Sequence, residues 1–114
     1  MKKILLMMLC LLGLPALASA GFVPDNSYHL SVADAKDLQD NMRVQLTGRI
    51  TQSLGDEKYV FTDGTDTIVV EIDEYVWRGQ DVSPKDTVTI DGEIEKEFMS
   101  TEIDVKRIDL VKEK

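Results

Sequence analysis

Two periods of apolar residues run through the chain, and the switch between them marks out its elements. Val32, Ala35 and Leu38 fall at helical spacing, with Ser31 three residues before Asp34 as a capping-box variant and with Asp34 and Asp37 near the N-terminal end, where negative charge is favoured. That spacing predicts a helix from Ser31 that stops near Asn41. After Met42 the period changes to two. Val44, Leu46, Gly48 and Ile50 alternate with Gln45, Thr47, Arg49 and Thr51, the pattern of a half-buried strand. A glycine on its apolar face signals a sharp bend or the close approach of another backbone.

The Leu54-Gly55-Asp56 segment then turns the chain, and Lys58–Thr62, carrying Tyr59, Val60 and Phe61, predicts a second strand. Asp63-Gly64 is a hairpin signal, followed by a third alternating strand through Ile68, Val70 and Ile72. Glu74 to Arg78 breaks the alternation and ends at Gly79, which predicts one or two helical turns with a glycine C-cap. Val88, Ile90, Gly92 and Ile94 form a fourth strand that repeats the glycine of the first. On the fifth, Ile103 and Val105 occupy odd positions and Ile108 and Leu110 even ones, so a bulge near Lys106 restores the inward face. Five short strands, two with central glycines, predict an all-β fold with minor helix. The best match is a five-stranded Greek-key barrel of the oligonucleotide/oligosaccharide-binding (OB) type, with an N-terminal helix and a short helix between strands 3 and 4.

This domain is expected over residues 31–114, after an extended lead-in at 21–30. Residues 1–20 have another character: Lys2 and Lys3, an apolar run from Ile4 to Ala18, and the small residues Ala18-Ser19-Ala20. They predict a secretory signal cleaved after Ala20. The run is short of the roughly 20 apolar residues of a membrane-spanning helix, and Cys10 lies too deep within it for lipid attachment. The formal charge of −8 becomes more negative by two when Lys2 and Lys3 are removed, and the one cysteine goes with them. The exported chain therefore has no disulfide and no thiolate, and its core must hold it together unaided. The charge opposes attraction to nucleic acid and to anionic lipid.

Three ordered motifs carry a family resemblance across essentially all of 21–114. They are Leu54-Gly55-Asp56-Glu57-Lys58-Tyr59-Val60-Phe61-Thr62-Asp63, then Val70-Glu71-Ile72-Asp73 with Trp77-Arg78-Gly79, and Ser100-Thr101-Glu102-Ile103-Asp104-Val105. The chain resembles the bacterial OB-fold family of periplasmic stress-tolerance proteins, the YgiW/YdeI type. The resemblance implies an exported, soluble, non-enzymatic barrel of Gram-negative bacteria, from a family associated with tolerance of oxidants, metals, acid or cationic antimicrobial agents. It implies no particular ligand.

The residues themselves narrow the chemistry. The single histidine, His29, sits in the lead-in, and no Gly-x-Ser-x-Gly elbow is present, so no catalytic residue is assigned and no enzyme activity is expected. A single-strand site would need a basic groove with stacking aromatics, whereas Tyr59, Phe61 and Trp77 read as core. On the fourth strand Asp91, Glu93, Glu95 and Glu97 occupy every second position, so they share a face. Glu102 and Asp104 join them if strands four and five form a hairpin. This acidic face is the leading candidate for binding a cationic small molecule or peptide, or a component of the cell envelope (protein or glycan). Its plain alternative is a solubilising surface.

Asp63, Asp73 and Trp77 are candidates for a small cleft. Arg49, Lys58 and Glu71 on strands 1–3 are the alternative, a protein-interaction face without a small ligand. Asp63-Gly64-Thr65-Asp66 and Asp73-Glu74 offer oxygen ligands without the spacing of a calcium loop, so neither a metal nor any cofactor is assigned. The expectation is a periplasmic monomer with no nucleic-acid partner and no stable membrane insertion.

Overall fold

The computed structural model describes residues 30–112. The predicted signal segment, residues 21–29 with His29, and residues 113–114 lie outside the described residues. Helix α1 spans Val32–Ala35, and the strands are β1 (Arg43–Gly55), β2 (Lys58–Thr62), β3 (Thr67–Glu71), β4 (Val88–Glu97) and β5 (Ser100–Leu110). A 3-10 turn at Glu74–Trp77 links β3 to β4. The strands close into a barrel in the order β1-β2-β3-β5-β4. All neighbours are antiparallel except β3 and β5, which run parallel. This is the OB-type barrel expected from the alternation.

The interior is entirely apolar. Phe61, Leu46, Ile72, Ile90, Ile94, Ile103 and Ile108 are its largest fully buried side chains, and none of the described buried residues is polar or charged. Both central glycines mark close backbone approach. A Cβ on Gly48 would lie 2.2 Å from the Thr62 carbonyl oxygen, and one on Gly92 would lie 2.4 Å from that of Asp104. The predicted bulge is present. Asp91 pairs with Arg107 and Gly92 with Val105, which leaves Lys106 as the extra residue and returns Ile108 to the core.

Two boundaries differ from the sequence expectation. The α-helix ends at Ala35, because Asp37 and Leu38 donate their amides three residues back, to Asp34 and Ala35, the tighter winding that closes short helices. The chain is then drawn to β4: the Asn41 N–H donates to the Ile94 carbonyl at 2.7 Å, and the Ile94 N–H to that of Met42 at 2.8 Å. Strand β1 runs on to Gly55, beyond its alternating part. Register irregularities after Ile50 and Ser53 bend it, and Thr51–Gly55 are all exposed, so no inward periodicity marks them.

Candidate functional site

Strand alternation places the predicted acids outward, and the register decides which of them meet. On β4 Asp91, Glu93 and Glu95 alternate with buried Ile90, Gly92 and Ile94, and Glu97 is exposed at its end. Glu93 lies directly opposite Asp104, and Glu95 directly opposite Glu102, on β5. The parallel pairing then sets Asp104 beside Glu71 on β3, and Glu71 faces Lys58 on β2. Arg43 on β1 faces Glu93 from the other side. One row thus crosses all five strands: Arg43, Glu93, Asp104, Glu71, Lys58. Three adjacent carboxylates lie between two cations. The neighbouring row is Glu95, Glu102, Val69, Val60, acidic over two strands and apolar over the next two.

Carboxylates directly opposite one another in a sheet are destabilising, and two of them are also partly buried. Partial burial pushes the Glu71 carboxyl above its ordinary value, and Asp104, Asp73 and Glu102 add to this against the opposing charge of Lys58. Glu95 is raised in the same way, first by burial and then by Asp104, Glu71, Glu97 and Glu102. Two lysines offset part of the charge. The Lys58 ammonium lies 3.2 and 3.3 Å from the two Glu102 oxygens, and the hydrogen bond and charge of Glu102 raise its pKa. Lys106 bonds Asp104 at 2.9 Å and is raised by it. Asp91 lies beyond the row, where it accepts from the Gln45 amide at 3.1 Å.

The other predicted residues are distributed differently. Lys58 and Glu71, assigned to a separate interaction face, belong to the acidic row itself. Arg49 does not join them: it pairs with Thr62, four residues or about 13 Å along β2 from Lys58, and its guanidinium donates to the Pro84 carbonyl at 3.1 Å. Asp63 and Asp73 flank opposite ends of β3, roughly 17 Å apart for a strand of this length.

Asp63 is a cap. One oxygen accepts from the Val32 N–H at 3.0 Å, and the other from the Thr65 N–H and hydroxyl at 2.9 and 2.6 Å. Burial pushes its pKa up, but these hydrogen bonds outweigh it and hold the carboxyl below its ordinary value. Ser31 and Thr65 accept the next two amides of α1, from Asp34 and Ala33. Trp77 stands edge-on to Tyr59, with ring centroids 5.4 Å apart at 77°. The two line a cleft of about 250 Å³ with Ile50, Thr51, Val82 and Pro84, which does not include Asp63 or Asp73.

Glu57 is the residue the sequence reading passed over. Its carboxylate oxygen lies within 4.8 Å of one from Glu71 and one from Asp73, an oxygen-only set of the kind hard divalent cations take. The three come from the β1–β2 turn, the end of β3 and the segment after it, so linear spacing does not reveal them. One Glu57 oxygen also accepts the Glu74 N–H at 3.1 Å, which ties the 3-10 turn to the acidic face.

Comparison with known proteins agrees with this architecture. The chain is 49% identical over 78 residues to Protein YgiW of Escherichia coli K12, an alignment covering 68% of this chain and 60% of YgiW. A protein of Haemophilus influenzae is 40% identical over 102 residues, covering 81% of this chain and 84% of that one. The solved structure of E. coli YgiW superposes with a TM-score of 0.72 at 44% identity, over 82% of this chain and all of that one. Residues 14–110 match the family described as Bacterial OB fold (BOF) protein, and it is to this family that the chain belongs.

Proposed function

We propose that this is a non-catalytic, periplasmic binding module that contributes to envelope stress tolerance by capturing a cationic small molecule or peptide, or a basic patch of an envelope component, on its acidic face. The observation that carries the reading is the register: Glu93, Asp104 and Glu71 stand side by side on three strands, with Glu95 and Glu102 opposed in the next row. A sheet that places like charges opposite one another forgoes stability. A bound cation returns it, because the charges then repel less in the complex than in the free protein. The closed, apolar barrel beneath fixes the strands that carry the carboxylates, so binding orders side chains and not backbone.

The absence of His and Cys from 30–112 supports a role without catalysis, and the charged, apolar and small-residue order of 1–20 supports export. The same negative face opposes nucleic-acid phosphates. An adaptor role centred on Arg49, Lys58 and Glu71 has less support, since the Arg49 guanidinium is engaged by Pro84 and the Lys58 ammonium by Glu102. The test is calorimetric titration with pentalysine at low and high salt. Glu93→Gln/Glu95→Gln is expected to weaken binding several-fold and to flatten its salt dependence. Equal affinities for the variant and the wild-type chain would rule the face out.

A further inference from the structure

Strand β1 changes partner halfway along its length. Residues 43–48 pair with β4 on one edge, and residues 49–55 pair with β2 on the other. Among the described residues no further backbone hydrogen bond reaches 49–55, so the β4-side edge of this stretch has no strand beside it. Thr51 and Leu54 are also skipped in the β2 register, and residues skipped in this way are left without a ladder partner. Exposed edges are ordinarily kept from pairing with other chains by lysine, by proline or by bulges. Here the bulges bend the edge without charging it: Ile50-Thr51-Gln52-Ser53-Leu54-Gly55 holds no proline and no charge, in a chain of which 30% of the residues are charged.

The cleft of about 250 Å³ lies against the same stretch. Residues 50–53 line it from β1, and Val82 and Pro84 from the segment leading to β4, with Tyr59 and Trp77 completing a lining that contains no charged side chain. Its far side is held in place. The Arg49 guanidinium donates to the Pro84 carbonyl at 3.1 Å, and the Gln80 amide donates to the Trp77 and Ile108 carbonyls at 2.9 and 2.8 Å while accepting the Leu110 N–H at 3.1 Å. The volume is below the roughly 300–1,000 Å³ of small-molecule pockets and suits a single large side chain.

We infer that residues 51–55 accept an extended, uncharged peptide segment as an added strand, with one apolar side chain of that segment seated against Tyr59 and Trp77. Two observations select this occupant. A strand edge without a neighbour is matched by a second extended backbone, and an uncharged aromatic cleft at that edge is matched by an apolar side chain. A nucleic-acid strand offers no peptide ladder and brings phosphates to an acidic chain. The site is separate from the acidic face, because Lys58 and Tyr59 are successive on β2 and point to opposite sides of the sheet. The inference therefore stands independently of cation capture.

The probe is a capped, uncharged heptapeptide of alternating Ser and Val with Phe at its centre, titrated into residues 21–114 and followed by amide NMR and hydrogen exchange. Saturable shifts are expected at residues 51–55, at Tyr59 and at the Trp77 indole, with amide exchange within 51–55 slowed on the order of tenfold at saturation. The same peptide N-methylated on Phe and on the next residue, which blocks pairing through either of its edges, is expected to bind on the order of tenfold more weakly. Val82→Glu, which charges the cleft, and Leu54→Lys, which charges the edge at an exposed position, are each expected to weaken the unmethylated peptide several-fold. Equal affinity for the methylated peptide, or shifts at Trp77 without slowed exchange in 51–55, overturns strand addition. So does the absence of any saturable shift. Protection of 51–55 in the peptide-free chain overturns it in favour of a second copy if the protection falls on dilution, and in favour of residues 21–29 of the same chain if it does not.

Discussion

Two carboxylate-rich regions of this barrel treat the same functional group in opposite ways. In the β2–β3 turn, Asp63 receives three hydrogen bonds, and Asp66 accepts the Thr67 amide and pairs with Lys36. Both are held below the ordinary carboxylate range. On the face of β3, β4 and β5, Glu71 and Glu95 are partly buried among other carboxylates and are pushed above it. Donor supply makes the difference. The turn has free backbone amides at the start of α1 to offer, whereas the amides of a closed sheet are committed to its ladder, leaving side chains such as Lys58, Lys106 and Gln45 to serve the face. Acids that complete a structure and acids crowded among like charges are thereby distinguished on one small domain.

Substituting the glycines breaks the comparison most severely. Gly92→Ala drives a Cβ toward the Asp104 carbonyl and the Ile103 side chain, so the strands carrying Glu93 and Asp104 must separate. The expected loss is about 3 kcal/mol of stability in urea unfolding. Gly64→Ala, in the turn, meets nothing within 4 Å but keeps φ of 95°. It is expected to cost only about 1 kcal/mol.

Asp63→Ala follows, at about 1–2 kcal/mol at neutral pH from the lost cap. The Asp63 pKa is lower in the folded chain than in the unfolded one, so its contribution is complete above the ordinary value of 3.8 and is lost as pH falls through the folded value. Denaturation curves of variant and wild type are expected to converge in acid. Glu95→Gln has the opposite sign and a smaller size, a gain of a few tenths to about 1 kcal/mol at pH 7. The raised folded pKa makes the wild type lose stability as pH climbs from the ordinary 4.5 through the folded value. The gain is therefore full above that window and absent below it. Smallest is the effect of salt: moving from about 0.05 to 0.5 M is expected to stabilise the wild-type chain a few tenths of a kcal/mol more than Glu95→Gln, by screening the face.

Much of the fold was legible because a barrel with a dry interior forces alternation. The parity change between Val105 and Ile108 revealed the bulge at Lys106, and glycines at inward positions of β1 and β4 revealed where backbones meet. The shared face of Asp91, Glu93 and Glu95 followed from the same period. Lateral register is a different matter, since alternation along one strand carries no information about its neighbour. That Glu95 stands opposite Glu102, or that Glu71 closes the row with Lys58, is set by turn lengths and the bulge. The partnership of Asp63 with Val32, 31 residues away, and the gathering of Glu57, Glu71 and Asp73 depend likewise on closure of the barrel. The early end of α1 reflects competition from β4 for the chain at Asn41, a tertiary pull absent from local spacing.

The most direct measurement is an amide-resolved NMR titration of residues 21–114 with pentalysine at physiological salt, with a single-stranded oligonucleotide as the control. Capture on the face predicts saturable shifts confined to Glu71, Asp91–Glu97 and Glu102–Asp104, with Asp63–Asp66 unmoved and no response to the oligonucleotide. Shifts centred on the Asp63 turn, or none on the face at saturating pentalysine, would contradict it.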